Sequence, residues 1–446
     1  MNAFSSLIDQ RLEQLPLKVA LDWPGGHAGQ AQADLRLRFH EPRWLGALAR
    51  GQIGTLADAY VRGKLDIEGS MADLMAVAAE LVGDPRRPEA ARNWGRWIAA
   101  WRSRWPQLRV RDARRIQFHY DVSDDFYALW LDPRRVYSCA FFRAADTTLA
   151  QAQEAKLDLV CRKLRLLPGQ RFLDIGAGWG GLLLWAAEHY GVRGLGITLS
   201  KNQHAHVNRL IEERGLEGRV EMRLLDYRDL PEHEAFDRIA SIGMFEHVGR
   251  ARLPAYFAKL HRLLQPGGLI MNHGITAGGL RYTQLGAGLG DFMEKHIFPG
   301  GELVHVSRVT QGLSEAGLEL LDAENLRPHY ARTLWAWSDA LERQLGEARK
   351  LTPEATVRAY RLYLAGCAMS FERGWISLFQ LLASRPDGDV ESGTMRGAQS
   401  AYPFNRDYVY EGPVLKCGGV ATPAPHEPSP DQPIPRRPEP PEEGFG

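Results

Sequence analysis

A run of small residues between positions 176 and 181, in the stretch RFLDIGAGWGG, has the spacing of a nucleotide-binding turn. Gly176, Gly178 and Gly181 match the G-x-G-x-x-G pattern, in which glycines let the backbone approach a ligand where a strand turns into a helix. A nicotinamide cofactor would also require an acid about 20 residues later to bind the ribose. The segment GITLSKNQ has no acid there, so the pattern disfavours a dinucleotide.

Two acids in the same region have positions that suit S-adenosylmethionine. Asp174 lies inside the predicted first strand, directly before the glycines, and Asp226 ends the predicted third strand in LLDYRDL. Asp174 can organise the glycine turn, and Asp226 can accept a hydrogen bond from an adenine amino group. Thr198 and Gln203 are neutral groups that can bind the ribose in place of an acid. Each aspartate also has a structural alternative, because a lone aspartate often caps a helix or ends a strand.

The elements that must position these residues alternate between strands and helices from Pro168 onward. Segments such as RFLDIGAG, RGLGITLS and FDRIASIG are separated by helix-length segments, which implies right-handed crossovers and a parallel sheet. We therefore predict an α/β fold, a doubly wound Rossmann-like domain that binds its ligand at the strand ends. The glycine-rich insert after Ala277 is predicted to be a functional lid, and WISLFQLLAS is predicted to close the sheet.

The segment before this domain predicts a smaller α+β unit. In ADLRLRF the residues Leu35, Leu37 and Phe39 share one face of a strand, whereas MADLMAVAAELV has helical spacing. The last residues are rich in proline, which is typical of a disordered tail. The predicted regions are an N-terminal lipid-binding-like α+β domain (1–90), a basic Trp-rich linker helix (91–117), a catalytic domain (118–416) and the tail (417–446).

The predicted linker helix combines tryptophans with arginines. Trp94, Trp97, Trp101 and Trp105 share one helical face, and eight arginines accompany a single acid between Ala91 and Gln117. This composition is typical of a helix that lies at a membrane interface, with rings at the headgroups and guanidinium groups on anionic lipid. The alternative is a helix whose tryptophans pack on the neighbouring domain, and the sequence leaves both open.

Composition limits the classes of protein and of site. The chain has 446 residues, 44% of them hydrophobic and 24% charged, which is sufficient for two folded domains. Its four cysteines are widely spaced, so we predict no metal site and no disulfide framework, as is typical of the cytosol. No apolar run reaches the ~18 residues of a spanning helix, so we expect only peripheral contact with the inner face of the membrane. The formal net charge is +1, although arginines are concentrated between Ala91 and Gln117, and we expect no nucleic-acid partner.

Seven segments follow one another along the chain. They are, in chain order, FHYDVSDDFYALWLDPRRVYSCAFF, LDIGAGWGG, GITLSKNQ, DYRDL, IGMFEHVG, NHGIT and HIFPGG. Over about residues 118 to 382, these motifs resemble those of the cyclopropane-fatty-acyl-phospholipid synthases. Two positions depart from the family pattern. Where the family usually has GCGWGG, this chain has GAGWGG, with Ala177 in place of the cysteine. Where the family usually has IFPxGxLPS, this chain has IFPGGELVHVS. We therefore expect the shape of the lid between Leu303 and Ser307, and with it the substrate preference, to differ.

The resemblance implies two sets of site residues. The set that would bind S-adenosylmethionine is Tyr137, Ser138, Gly176, Gly178, Thr198, Gln203, Asp226 and Tyr227, to which we add Asp174. The set that would hold a bicarbonate ion near the transferred methyl group is Cys139, Glu246, His273, Ile275 and Tyr330. In this set Tyr330 and the Ile275 amide would donate hydrogen bonds, Glu246 would accept from the bicarbonate hydroxyl, and Cys139 would line the site.

The chemistry that the resemblance implies requires a dry pocket. The methyl group would be transferred to the cis double bond of a phospholipid acyl chain, and water would trap the resulting carbocation. Aromatic faces such as Phe141 can stabilise that cation. A side-chain carboxylate beside it could be alkylated, so a bound bicarbonate would act as the general base. The implied partners are unsaturated membrane phospholipids, through peripheral contact, and a second copy of the chain.

Two alternatives to this function remain open on the sequence. A related methyltransferase would methylate acyl chains without closing a ring, or would methylate a small molecule. A protein of another class would bind or transfer lipids without catalysis, and would not require Glu246. Structural roles also remain open for the site residues, because buried cysteines and histidines are often packing residues; Cys367 is predicted to be one.

Overall fold

The structure is a computed structural model, and part of the chain falls outside what it describes. The predicted linker helix and the predicted proline-rich tail are both outside, so they stay predictions, as do the domain boundaries. Within the described part, no helix combines the length and the apolar content needed to cross a bilayer. The described residues are 12–82, 123–233, 235–280, 288–297, 302–387 and 406–410.

Over residues 12–82 the N-terminal unit consists of a four-stranded sheet and three helices, which fits the predicted α+β unit. Its strand order is β2-β1-β3-β4, and only the β1–β3 pair is parallel. The alternating residues Leu35, Leu37 and Phe39 all point to the buried side of the sheet. The elements are β1 (Val19–Trp23), β2 (Gly26–Gly29), β3 (Leu35–Phe39), α1 (Arg43–Ala49), α2 (Ile53–Val61), β4 (Leu65–Glu68) and α3 (Met71–Val82).

The rest of the chain forms a second, larger sheet covered by helices on both faces. Its elements begin with two helices and then alternate, which confirms the predicted doubly wound α/β domain. They are α4 (Asp124–Ala128), α5 (Leu149–Lys163), β5 (Arg171–Ile175), α6 (Gly181–Tyr190), β6 (Arg193–Thr198), α7 (Lys201–Glu213), β7 (Val220–Leu224), β8 (Phe236–Ile242), α8 (Phe245–Val248), α9 (Leu253–Leu263), β9 (Leu264–Ala277), α10 (Leu289–His296), α11 (Val306–Glu315), β10 (Glu319–Asn325), α12 (Arg327–Arg343), α13 (Leu345–Leu351), α14 (Glu354–Glu372) and β11 (Ile376–Ser384).

The strand order of this sheet is β10-β11-β9-β8-β5-β6-β7. The order reverses at β5, whose neighbours β6 and β8 are both parallel to it, so the crevice that binds ligands lies at the carboxyl end of β5. Strand β11 was predicted to close the sheet. It is instead inserted between β9 and β10 and is antiparallel to both, because most of its residues are buried and such a strand requires a neighbour on each side.

Three helices, α12 to α14, stand between β10 and β11 and join the two parts of the chain. Helix α14 packs against α12 on one side and against α2 and α3 of the N-terminal unit on the other. One continuous apolar core therefore includes Phe39 of the N-terminal sheet, Trp130 after α4, and Trp337 of α12. The N-terminal unit does not bury its apolar surface alone.

Helix α10 lies inside the glycine-rich insert that is predicted to be a lid, and it is held by α2 of the N-terminal unit. Residues 281–287 and 298–301 of this insert lie outside the described residues, so the lid stays a prediction. Asp58 accepts hydrogen bonds from the Lys295 ammonium group and from His296 Nε2, the latter at 2.9 Å. Partial burial raises the pKa of Asp58, but these hydrogen bonds outweigh it and leave that pKa below its usual value. The backbones also touch, because a Cβ atom on Gly54 would lie 2.2 Å from the carbonyl oxygen of Gly288.

We expect Gly54→Ala to weaken this contact and to lower the free energy of unfolding by about 1–3 kcal/mol, the usual effect of overpacking. Gly46→Ala is the matched control, since its Cβ would meet only the flexible end of Arg50, at 3.3 Å. A helical glycine-to-alanine change in open space is expected to stabilise by about 0.5–1 kcal/mol. Chemical denaturation and hydrogen exchange over residues 289–296 measure both effects. Equal stability of the two variants would contradict the proposed close contact.

Candidate active site

A first cavity, here called the cofactor cavity, lies at the carboxyl ends of β5, β6 and β7. It contains about 1260 Å³ of free space, part of it open to solvent, and the glycine turn between β5 and α6 lines it. All the residues that the sequence assigns to cofactor binding line it. They are Tyr137, Ser138, Asp174, Gly176, Gly178, Thr198, Gln203, Asp226 and Tyr227.

The glycine turn contains a position that only glycine can occupy. Gly176 has a φ angle of +76°, and a Cβ atom there would lie 2.8 Å from Cγ of Met244. At the next turn, the Thr198 hydroxyl donates to Oε1 of Gln203 at 2.7 Å. Both side chains are buried, so this wall of the cavity has a fixed shape before any ligand binds.

Asp226 is already partly engaged in this structure. It caps a 3₁₀ helix (Tyr227–Asp229), and its Oδ1 accepts from both the backbone N–H and Nε of Arg228 at 2.9 Å. The structural role that the sequence left open for this aspartate is therefore present. Its Oδ2 also accepts from Nη2 of Arg228 at 2.5 Å, so both carboxylate oxygens are engaged by Arg228 in this structure.

Lys156 is a cavity residue that the sequence analysis missed. It lies on α5, is 1% exposed, and its Nζ donates to the Ser138 hydroxyl at 2.9 Å. Burial lowers the pKa of Lys156 to about 8, and burial raises the pKa of Asp174 to about 7, although the nearby Lys156 charge opposes that rise. A lysine on the apolar face of LAQAQEAKLDLVCRK was the available signal, since Leu157 and Val160 on this helix are fully buried.

A second cavity, here called the apolar cavity, meets the first. It contains about 1450 Å³ of free space, part of it open to solvent, and it shares four lining residues with the cofactor cavity: Tyr137, Ser138, Gly243 and His247. Its walls come from α10, α12, α14 and β11. Large apolar side chains dominate them, including Phe292, Met293, Leu303, Leu334, Leu362 and Phe371.

One end of the apolar cavity is polar, and two of its groups lack partners. Glu246 is 8% exposed; its Oε1 accepts from the Ile275 backbone N–H at 2.6 Å, while its Oε2 has no hydrogen-bond partner among the described residues. Neither ring nitrogen of His273 has a partner there either. Burial raises the pKa of Glu246 to about 7 and, with the charges of Lys156 and Lys163, lowers that of His273 well below its usual value.

The remaining residues of the second predicted set line the same cavity. Burial raises the pKa of the Cys139 thiol far above its usual value, so the thiol is neutral and donates to the Ala140 carbonyl at 3.2 Å. Tyr330 lies against Phe371, with ring centroids 4.7 Å apart. The structure therefore places all five residues of this set, four side chains and the Ile275 backbone amide, around one cavity. The Ile275 amide, however, donates to Glu246, which differs from the role that the resemblance implies for it.

Phe141 is not among the residues that line either cavity. Its ring stacks beside His329, with centroids 4.8 Å apart, and beside Tyr410. The aromatic side chains that line the apolar cavity, and whose faces are available to a cation, are instead Tyr137, Phe292, Tyr330, Tyr363 and Phe371. The sequence does not distinguish the aromatic residues that line the cavity from Phe141, because the difference depends on which side chains the tertiary structure turns toward the cavity.

The two joined cavities can bring a polar cofactor against an apolar substrate. The cofactor cavity offers a glycine turn, carboxylates and a buried ammonium group, and the apolar cavity offers space and a buried acid–imidazole pair. Carboxyl and imidazole groups with pKa values displaced by burial are characteristic of sites that move protons. A group transfer at the shared wall, followed by loss of a proton, fits this geometry.

Comparison with known proteins gives consistent results. The sequence model of the family described as "Mycolic acid cyclopropane synthetase" matches residues 107–381. A "Probable fatty acid methyltransferase" of Pseudomonas putida is 44% identical over 381 residues, which are 84% of this chain and 93% of that protein. "Cyclopropane mycolic acid synthase 1" of Mycobacterium tuberculosis is 41% identical over 280 residues, 60% of this chain and 96% of that protein.

A solved structure extends the comparison to the fold. The mycolic acid cyclopropane synthase CmaA1, complexed with SAH and CTAB, is 39% identical and superposes with a TM-score of 0.58. The match covers 61% of this chain and 98% of that chain.

Proposed function

Because the chain belongs to the mycolic acid cyclopropane synthetase family of S-adenosylmethionine-dependent methyltransferases, we propose that it is a cyclopropane-fatty-acyl-phospholipid synthase. It transfers a methyl group to the cis double bond of an unsaturated phospholipid acyl chain and closes a cyclopropane ring with loss of a proton. Family membership supports a methyltransferase that acts on fatty acyl chains. The phospholipid, the ring closure and the bicarbonate are the proposed part.

One observation carries the proposal: the apolar cavity opens onto the cofactor cavity at Tyr137, Ser138, Gly243 and His247. An acyl chain in the apolar cavity would reach the transferred methyl group only at this shared wall. The largely apolar lining would exclude water from the cation that forms there. A small polar substrate would leave most of this lining without contacts.

S-adenosylmethionine supplies an electrophilic methyl group on a positively charged sulfur. The chain's own contribution is to bind and orient the cofactor, and the residues present fit it. The glycine turn admits the cofactor close to the backbone, Lys156 and Ser138 offer donors for a carboxylate, and Asp226 lines the same cavity as a hydrogen-bond acceptor.

Bicarbonate, when bound, supplies a general base. The polar end of the apolar cavity fits such an ion, because Glu246 Oε2 and the two His273 nitrogens are buried polar atoms that lack partners among the described residues. Glu246, His273 and Tyr330 would hold it, with Cys139 beside it. The pKa of His273 lies well below its usual value, which keeps the imidazole neutral, so one ring nitrogen can donate a hydrogen bond and the other can accept one.

The decisive experiment incubates the purified chain with isotope-labelled S-adenosylmethionine and vesicles of a cis-unsaturated phospholipid. Mass spectrometry and proton NMR of the recovered acyl chains then identify the product. We expect one added carbon per double bond and upfield cyclopropane methylene signals. Unmodified lipid, with the label transferred instead to a small-molecule acceptor, would refute the proposal.

A second candidate keeps the donor and the lipid but omits ring closure. The name of the Pseudomonas putida relative, a probable fatty acid methyltransferase, favours it, because that relative matches 84% of the chain. Loss of the proton from a neighbouring chain carbon would give a methyl-branched alkene of the same mass as the cyclopropane. Retention of alkene signals in the same NMR spectrum distinguishes this product.

The proposal includes a homodimer and peripheral contact with the membrane. The membrane contact is proposed to be made by the predicted linker helix. We expect the double change Trp97→Ser and Trp101→Ser to reduce sedimentation of the protein with anionic vesicles, because indole rings at the headgroup level contribute to interfacial binding. The control measures the same variants on neutral vesicles. Unchanged sedimentation with anionic vesicles would indicate that the tryptophans pack inside the protein.

A further inference from the structure

A row of polar side chains runs across three neighbouring strands of the larger sheet, β9, β11 and β10, on the face covered by α5. His273 on β9 is paired with Gln380 on β11, and Gln380 is paired with Glu324 on β10. Side chains of directly paired residues lie on the same face, with Cβ atoms about 4.5–5.5 Å apart. The row starts at the wall of the apolar cavity, which His273 lines, and ends at the edge strand of the sheet.

The middle of this row is buried and polar. Gln380 is 0% exposed, and neither its Oε1 nor its Nε2 has a hydrogen-bond partner among the described residues. The same is true of both ring nitrogens of His273. Buried polar groups are almost always hydrogen-bonded, and ordered water is the usual partner where no protein group is in reach. The geometry therefore favours bridging water on both sides of the Gln380 amide.

The outer end of the row reaches the surface. The Glu324 side chain is 22% exposed, and it accepts hydrogen bonds from the Lys163 ammonium group and from the Tyr410 hydroxyl, the latter at 3.1 Å. Tyr410 is about half exposed. Lys163 also pairs with Asp322 at 3.2 Å, so two carboxylates face this buried cation.

The proposed reaction generates a proton that must leave a dry cavity. The methyl carbon leaves the sulfonium, which becomes a neutral thioether, and forms a bond to one alkene carbon. Ring closure then breaks a C–H bond of that methyl group and forms the second C–C bond, and the proposed bicarbonate would take up the proton, become carbonic acid, and pass a proton on to the neighbouring His273. A neutral imidazole can take up a proton at one nitrogen while it gives one up at the other.

We propose that His273, Gln380 and Glu324 form an exit path for this proton, from the apolar cavity to the surface beside Tyr410; the inference rests on the proposed function. Gln380 is a positioning residue in this path. Its amide donates at one end and accepts at the other, so it holds water in line between the imidazole and the Glu324 carboxylate, which returns the proton to solvent.

The test replaces Gln380 by a side chain of similar size without polar hydrogens. Gln380→Met is expected to lower kcat by about tenfold, less than the loss of a direct acid–base group causes, and to leave KM for S-adenosylmethionine unchanged. It is also expected to enlarge the solvent deuterium isotope effect on kcat, because proton release becomes rate-limiting. Gln380→Glu restores a polar group and is expected to recover most of the activity.

Asn272→Leu is the matched control. Asn272 is next to His273 on β9 and is also fully buried without a side-chain partner among the described residues, but it points to the opposite face of the sheet. A second readout needs no turnover: nitrogen-15 NMR of labelled histidine reports the tautomers of His273 in the free protein. We expect Gln380→Met to change that ratio and Asn272→Leu to leave it unchanged.

The outcomes separate this inference from the function on which it rests. If the unaltered chain does not methylate the lipid, the proposed function fails. If it does, and Gln380→Met keeps the original kcat, isotope effect and His273 tautomers, the exit path is refuted. Equal effects of Gln380→Met and Asn272→Leu would also refute it, because both would then report only the packing of a buried amide.

Discussion

Glu246→Gln and His273→Gln are each expected to lower kcat for acyl-chain methylation by about 10²–10⁴-fold, the usual contribution of a positioned acid–base group. Both side chains present unpartnered polar atoms at the end of the apolar cavity, where the released proton must be taken up. Neither lines the cofactor cavity, so we expect both variants to bind S-adenosylmethionine with unchanged affinity. Initial-rate kinetics and calorimetric titration with the cofactor measure the two quantities.

Glu319→Gln provides the control for this prediction. Glu319, at the start of β10, also has a buried carboxylate oxygen without a partner among the described residues, but it lines neither of the two cavities. Loss of a buried carboxylate by itself should therefore leave kcat unchanged. Full activity of Glu246→Gln or of His273→Gln would remove these residues from the proposed site.

The displaced pKa of Glu246 gives the same site a pH dependence. Because burial raises that pKa to about 7, the carboxyl group is mostly protonated below this pH and mostly ionised above it. The ionised form is the one that can accept a hydrogen bond from a bound bicarbonate, so we expect kcat to rise as the pH rises through about 7. The residual kcat of Glu246→Gln should lack this rise. Asp174, which titrates in the same range, lies in the cofactor cavity and should affect KM for the cofactor instead.

Lys156→Met is expected to weaken binding of S-adenosylhomocysteine by about 10–100-fold, which corresponds to the loss of one buried hydrogen bond from a charged donor. The Lys156 ammonium group holds the Ser138 hydroxyl and lowers the pKa of Asp174, whose burial otherwise favours the neutral acid. Without the lysine, the pKa of Asp174 rises further, so this side chain becomes the neutral acid. The cavity then lacks both the ammonium donor and the ionised carboxylate. Isothermal titration at constant pH measures the affinity.

Lys163→Met tests whether this effect is specific to the cofactor cavity. Lys163 is also fully buried on α5, two turns further along, but it pairs with Asp322 and Glu324 and does not line the cofactor cavity. Its loss is expected to reduce stability and to leave the affinity for S-adenosylhomocysteine unchanged. Equal affinities of the unaltered chain and Lys156→Met would show that Lys156 serves only the packing of α5.

The fold class and the methyl donor were predictable from the sequence, because both depend on local patterns. Alternating strand and helix lengths specify a parallel sheet, and the glycine spacing with Asp174 specifies the turn at its switch point. Family membership confirms the methyltransferase and excludes the non-catalytic alternative. The predicted nine-residue cofactor set lines one cavity, since seven of the nine lie in motifs at strand ends that a doubly wound fold brings to the same edge.

The tertiary structure alone decided how distant segments combine. Cys139, Glu246, His273 and Tyr330 come from four separate segments, and the packing of α12 and α14 on β9 and β11 creates the cavity that contains them. Gln380 gave no signal in an apolar strand, because its role depends on the register of β11 between β9 and β10. Lys156 was missed for a related reason: burial and neighbouring charges set a pKa, and both are fixed by long-range packing that residue spacing does not encode.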